Sequence, residues 1–145
     1  MRQCPGVSFQ HKIFVLFFTL FSFSQDLERH QWKNRVLIIY TADKNSDELE
    51  NQFNILSKNK GALLERKLVI YAFTEDAFQF HFEEHWQKLE KLHPRYTPKK
   101  KSFKLFLLGL DGNIKLEQSS LLTAKKLFAT IDGMEMRRRE IKNKN

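Results

Sequence analysis

A single cysteine, Cys4, is all the thiol this chain has, and it stands ahead of an apolar run near the start. No C-x-x-C pair exists, and no disulfide can form within residues 25–145. Small exported domains often depend on disulfides, so this chain must be held by side-chain packing instead. Phenylalanine is abundant, and Trp32 and Trp86 add to it. There is no glycine-rich phosphate loop and no G-x-S-x-G, which removes the usual signatures of nucleotide hydrolysis and of the hydrolase nucleophile elbow. Scattered serines, histidines and aspartates do not assemble into a triad by spacing. No internal repeat, low-complexity linker or second domain is visible.

Acidic residues are missing from the first stretch, which carries Arg2, His11 and Lys12. Ile13 to Phe23 is apolar, and Ser22 and Ser24 put small residues at the minus-three and minus-one positions of a cut before Gln25. The run falls short of the roughly 20 residues a membrane-spanning helix needs. The pattern predicts a signal peptide over residues 1–24 and one domain over 25–145, exported to a periplasmic or extracellular space. An uncleaved anchor is the alternative. A lipid anchor does not fit, because Cys4 precedes the apolar run. The formal net charge is +8, and the leader contributes only Arg2 and Lys12 to it, so the remaining domain stays basic. Outside the cytosol that charge suits an anionic glycan, a lipid headgroup or an acidic protein rather than nucleic acid, with plain solubility as the bland reading.

Within the domain, Asn34 to Thr41 encloses the continuous apolar run RVLIIY, which predicts a strand buried on both faces. Asn45 with Glu48 resembles a capping box. Leu49, Phe53 and Leu56 recur at helical spacing, predicting a helix that runs to about Lys60 and stops at Gly61. Lys67 to Phe73 is a second short apolar strand, so the first pair is parallel with a right-handed crossover. Phe78, Phe82, His85 and Leu89 predict a second helix over Glu75 to Leu92, closed by Pro94 and Pro98. Phe103 to Gly109 is a third strand. Asp111-Gly112 turns the chain into a fourth, with Ile114 and Leu116 alternating. Thr123 to Ile131 is a last helix ended by Gly133, and a basic tail starts at about Met134. The expected class is α/β. The order strand-helix-strand-helix-hairpin-helix with a four-stranded mixed sheet matches the thioredoxin core.

In a redox thioredoxin the reactive cysteine sits where the first strand meets the first helix. Here that junction holds Thr41, Asp43, Lys44, Asn45 and Ser46 and no cysteine. It reads as a vestigial thioredoxin-type junction that could still bind an anion at the helix N-terminus, weighed against an ordinary capped helix start, and thiol-disulfide exchange is excluded for residues 25–145. His81-Phe82-Glu83-Glu84-His85 matches the inverted zinc-protease pattern, in which His81 and His85 would grip a metal on one helix face while Glu84 activates water. Against this, His85 would fall in the apolar stripe and Glu84 about a quarter turn away, so a core-edge His85 and a surface His81 are the plainer reading. No cofactor is expected. Two basic clusters, Lys99-Lys100-Lys101 and Arg137-Arg138-Arg139, are the candidate anion-binding residues, each weighed against a solvated surface or pairing with Glu140 and other acids.

Several stretches together carry a resemblance. They are Trp32 to Arg35 leading into VLIIYTAD, Glu65 to Val69, Leu108-Gly109 with Asp111-Gly112 and Lys115, and Ile131 to Glu140 (IDGMEMRRRE). The chain resembles the secreted family catalogued as domain of unknown function 4174, which recurs in vertebrate matrix proteins such as equarin and the sushi-repeat-containing proteins and as small bacterial exported proteins. The resemblance implies a thioredoxin- or peroxiredoxin-like fold and export, and it supplies no catalytic residues. It makes the arginine run part of a signature, either lining a binding surface or docking back onto a carboxylate. The expected function is a non-catalytic binding module for an anionic partner. The competing expectation is a thiol-independent or metal-assisted oxidoreductase or hydrolase.

Overall fold

A computed structural model describes residues 27–145; the expected signal peptide and Cys4 lie outside the described residues. Strand β1 (Arg35–Tyr40) is buried along its whole length, as its unbroken apolar run requires. It pairs in parallel with β2 (Leu68–Phe73) and antiparallel with β5 (Lys104–Leu108). Between β1 and β2 run helix α1 (Asp47–Ser57) and the short helix α2 (Lys60–Glu65). Ser46, one residue after the expected Asn45, caps α1 by accepting from the Leu49 amide. Gly61 lies inside α2, and the break between the helices comes earlier, at Lys58 and Asn59.

The segment expected to form a second helix does not. Residues Ala77–Phe80 form strand β3 and Gln87–Lys88 the short strand β4, which extend the sheet beyond β2. Phe78, Phe80 and Phe82 also alternate at the two-residue period of a strand. The Thr74 hydroxyl donates to Asp76 Oδ1 at 3.0 Å and accepts from the Ala77 amide at 3.1 Å, which turns the chain straight back onto the open edge of β2. The sheet therefore has six strands, in the order β4-β3-β2-β1-β5-β6, with β6 at Ile114–Gln118. The Asp111-Gly112 turn forms as expected, with Gly112 at φ +76°, a conformation glycine adopts without cost. A bulge at Leu107/Leu108 shifts the β5–β6 register.

Alternate residues of the central strands feed two cores. On one face Leu37, Ile39, Ile70 and Leu107 meet Leu49, Leu56 and Leu63 of α1 and α2, with Leu127 and Ile131 of α3 (Ala124–Asp132). On the other, Val36, Ile38, Tyr71 and Phe106 meet Leu89, Leu92 and Tyr96, which belong to an irregular stretch and a one-turn 3-10 helix (Pro94–Tyr96). Thr123 lies just outside α3 as its cap, and Gly133 ends the helix as the sequence predicts. The basic tail is ordered as helix α4 (Glu135–Lys142). No helix among the described residues is long and apolar enough to cross a membrane.

Candidate anion-binding cleft

The two basic clusters lie at opposite ends of β1. Tyr40, its last residue, pairs with Lys104, and Arg35, its first, bonds to Glu140 of α4. Six residues of strand separate them by roughly 17 Å, so they form two sites and not one.

At the Lys104 end, the loop entering β5 is built on two anchors. Pro94 opens the 3-10 turn, and His93 caps it by accepting from the Arg95 amide at 3.1 Å. Tyr96 then packs edge-on against Phe106, with ring centroids 5.8 Å apart. With Tyr96 and Pro98 buried, Lys99 and Lys100 are left on the surface. An open cleft of about 350 Å³ follows, lined by Arg95, Lys99, Lys100 and Lys104 together with the hydroxyls of Thr97, Ser102 and Ser119. Its sole carboxylate is Glu117, which holds Lys104 at 3.0 Å. Lys101 does not line the cleft. It binds both Glu75 oxygens at 2.8 Å, on the β2 side. Arg95 and Lys104 were not singled out by the sequence reading, because neither belongs to a basic run; the proline-started turn before the lysines was the available signal for Arg95.

At the other end, the three arginines separate. Arg137 is 2% exposed, and its guanidinium reaches Glu65 Oε1 at 2.8 Å, Asp132 Oδ1 at 3.2 Å and Glu140 Oε2 at 3.3 Å, besides the Glu65 carbonyl at 3.2 Å. Arg138 is exposed, and Arg139 is an exposed partner of Glu135. Arg66 grips both oxygens of Asp132, Oδ2 at 2.7 Å and Oδ1, shared with Arg137, at 3.0 Å. The fully buried Arg35 bonds to Glu140 and to the Arg66 carbonyl, while its Nε has no partner among the described residues. The signature arginine thus docks back onto carboxylates of its own domain.

Burial pushes both Asp132 and Glu140 upward, and the arginines outweigh it. Hydrogen bonds from Arg66 and Arg137 hold Asp132 below the ordinary 3.8, and the charge of Arg35 with the Arg137 hydrogen bond holds Glu140 below 4.5. A carboxylate held low stabilises the fold fully above its unfolded value and loses that contribution as pH falls through the folded one. Asp132→Asn should therefore be less stable than wild type at pH 7, and the gap should narrow as urea unfolding is repeated at pH values below the ordinary 3.8. A gap independent of pH would remove Asp132 from the clamp.

The remaining candidates are spread apart. At the β1–α1 junction, Thr41 Oγ1 donates to the Asp43 carbonyl at 2.9 Å and lies 2.9 Å from Ser46 Oγ, while Asp43 Oδ1 accepts from the Asn45 amide at 2.9 Å. Lys44 lies over the Trp86 ring. The junction's polar groups are thus used in capping and turning the chain. His81 and His85 share no helix. His81 sits in the turn after β3 with φ +53°, its Nδ1 buried without a hydrogen-bond partner among the described residues, and His85 is exposed beyond it. The geometry the inverted zinc motif requires is absent from this segment, and no cluster of three metal-ligating side chains occurs among the described residues.

A family model described as "Domain of unknown function (DUF4174)" matches residues 26–140. A comparison with curated proteins finds no match.

Proposed function

The chain belongs to the DUF4174 family of domains of unknown function, and from that premise we propose that it is an exported, thioredoxin-like, non-catalytic module that binds an anionic glycan in the Arg95–Lys104 cleft. The observation that carries this reading is the imbalance of charge there: four cations face one carboxylate, and Lys99 and Lys100 have no carboxylate partner among the described residues. The hydroxyls of Thr97, Ser102 and Ser119 suit the sulfate and hydroxyl groups of a sugar chain, and the open shape admits a polymer. Arg137 has no part in this, since its guanidinium is taken up inside the domain.

The thioredoxin-like reading is supported by the inner order β2-β1-β5-β6, with β1 and β2 parallel and β5 antiparallel to β1. The β3–β4 extension stands where a thioredoxin would carry its middle helix. Export rests on the leader pattern and on the likeness to secreted matrix domains. The metal-assisted oxidoreductase or hydrolase alternative has lost the helix on which His81 and His85 depended.

Retention on immobilised heparin tests the cleft. The wild-type protein should elute at a salt concentration well above that of a Lys99→Ala/Lys100→Ala variant. The slope of log affinity against log salt should fall by roughly two, as expected when two cations no longer displace counterions from a linear polyanion. Arg138→Ala/Arg139→Ala should keep most of the retention. Equal elution of the wild type and the Lys99/Lys100 variant would sink the assignment.

A further inference from the structure

A second concavity, of about 390 Å³, lies away from the cationic cleft, between α2, the start of β2 and the turn after β3. Its size falls within the roughly 300–1,000 Å³ typical of small-ligand pockets. Leu63, Leu64, Leu68 and Phe82 supply its apolar surface, and Lys60 and Lys67 are its cations.

Three departures from ordinary packing meet there. Leu64 is 79% exposed, the most exposed of the large apolar side chains described. Lys67 and His81 hold φ at +50° and +53°; at Lys67 this is the left-handed step that ends α2, and at His81 it turns the chain after β3. The Nδ1 of His81 is buried with no hydrogen-bond partner among the described residues. Among the described residues the other buried side-chain atom without a partner is Arg35 Nε, whereas Gln52 satisfies both backbone groups of Leu122. An exposed leucine above an apolar floor, with two lysines in the same lining, is a surface that an amphiphilic ligand would cover.

Charge decides what kind of ligand. Lys60 Nζ lies 4.8 Å from the Phe82 ring centre, so its charge sits directly above the apolar surface. Lys67 shares its charge with Glu140 at 3.7 Å, and Glu83 is the one carboxylate of the lining. Two lysines against Glu83 give the lining a net of one positive charge, and Glu140 takes little of it because Arg35 and Arg137 already share that carboxylate; one positive charge complements a monoanion and not a polyanion. We propose that this groove binds a single-chain aliphatic carboxylate, its tail against Leu63, Leu64, Leu68 and Phe82 and its carboxylate at Lys60 and Lys67. The site is separate from the glycan cleft and does not depend on it.

Titration calorimetry with dodecanoate, kept below its micellar concentration, tests the proposal on the purified protein. Binding should be saturable with one site per chain. Decanoate should bind more weakly, by up to roughly 16-fold, since each buried methylene contributes about a fourfold change. Dodecyltrimethylammonium, with the same tail and the opposite charge, should bind at least about tenfold more weakly. Leu64→Glu should weaken dodecanoate by about tenfold or more while leaving heparin elution unchanged, because the side chain is already in solvent and the cleft is elsewhere. Lys60→Glu serves as a second variant with the same expected direction. Lys99→Ala/Lys100→Ala should bind dodecanoate as the wild type does. Non-saturable binding, equal affinity for the two head groups, or undiminished binding in both groove variants would each overturn the assignment.

Discussion

Arg137→Met should lower the stability of the domain by about 3 kcal/mol, whereas Arg138→Met and Arg139→Met should each change it by less than about 0.5 kcal/mol. The three residues are adjacent and identical in type, so the contrast isolates position. Methionine keeps most of the aliphatic length of arginine, so the loss falls on the ionic contacts. Removing Arg137 leaves Glu65, Asp132 and Glu140 converging on a site without their common cation. Breaking one member of a buried network typically costs about 3–5 kcal/mol. The lower end applies here because Glu65 and Asp132 still reach water and can be rehydrated. Arg139, by contrast, pairs with Glu135 where both are largely in solvent, a contact worth only a few tenths of a kcal/mol. Denaturant midpoints for the three variants check this directly. A loss under about 1 kcal/mol for Arg137→Met would mean that the clamp adds little net stability, the outcome in which desolvation cancels attraction.

Gln52→Leu is expected to cost about 2–4 kcal/mol. Gln52 is fully buried on α1, and its amide closes a ring with Leu122: Nε2 donates to the carbonyl at 3.0 Å and Oε1 accepts from the amide at 2.8 Å. That pair fastens the loop before α3 to α1. Leucine fills the space but leaves a backbone donor and a backbone acceptor dry and unpaired, at about 1–3 kcal/mol each. Gln52→Glu should also destabilise, since the carboxylate can accept from Leu122 but offers nothing to its carbonyl. Thermal unfolding of both variants, with Leu122 amide exchange as the local readout, separates this from a general loss of packing. Unchanged exchange at Leu122 in Gln52→Leu would show that the loop is held by something else.

The inner part of the sheet is plain in the sequence because β1 and β2 are buried on both faces, and that condition leaves an unbroken apolar run. The β3–β4 region is not plain, for a physical reason. Phe78, Phe82 and Leu89 satisfy a helical spacing while Phe78, Phe80 and Phe82 satisfy a strand spacing, and what decides between them is the free edge of β2, which no local window contains. The arginine run poses a similar problem. Three consecutive positions on a helix point in three directions about 100° apart, and only the docking of α4 against Arg35 and Glu65 selects Arg137 as the inward one. Lys99 and Lys100 were legible as a basic pair, but their cleft depends on Arg95 and Lys104, which reach it from a 3-10 turn and from the β5–β6 hairpin. Gln52 carried no signal at all, since a glutamine among helix residues is usually a surface residue.

The clamp also orders events in time. Arg35 opens the central strand, and the carboxylate that meets it, Glu140, lies 105 residues later in the chain. At a synthesis rate of roughly 5–20 residues per second, the guanidinium exists for about 5–20 s before its partner has been made. Over that interval β1 can pair with β2, and the partner the guanidinium then has is the Arg66 carbonyl. The strand at the centre of the fold is thus among the first parts made and among the last to have its charge paired.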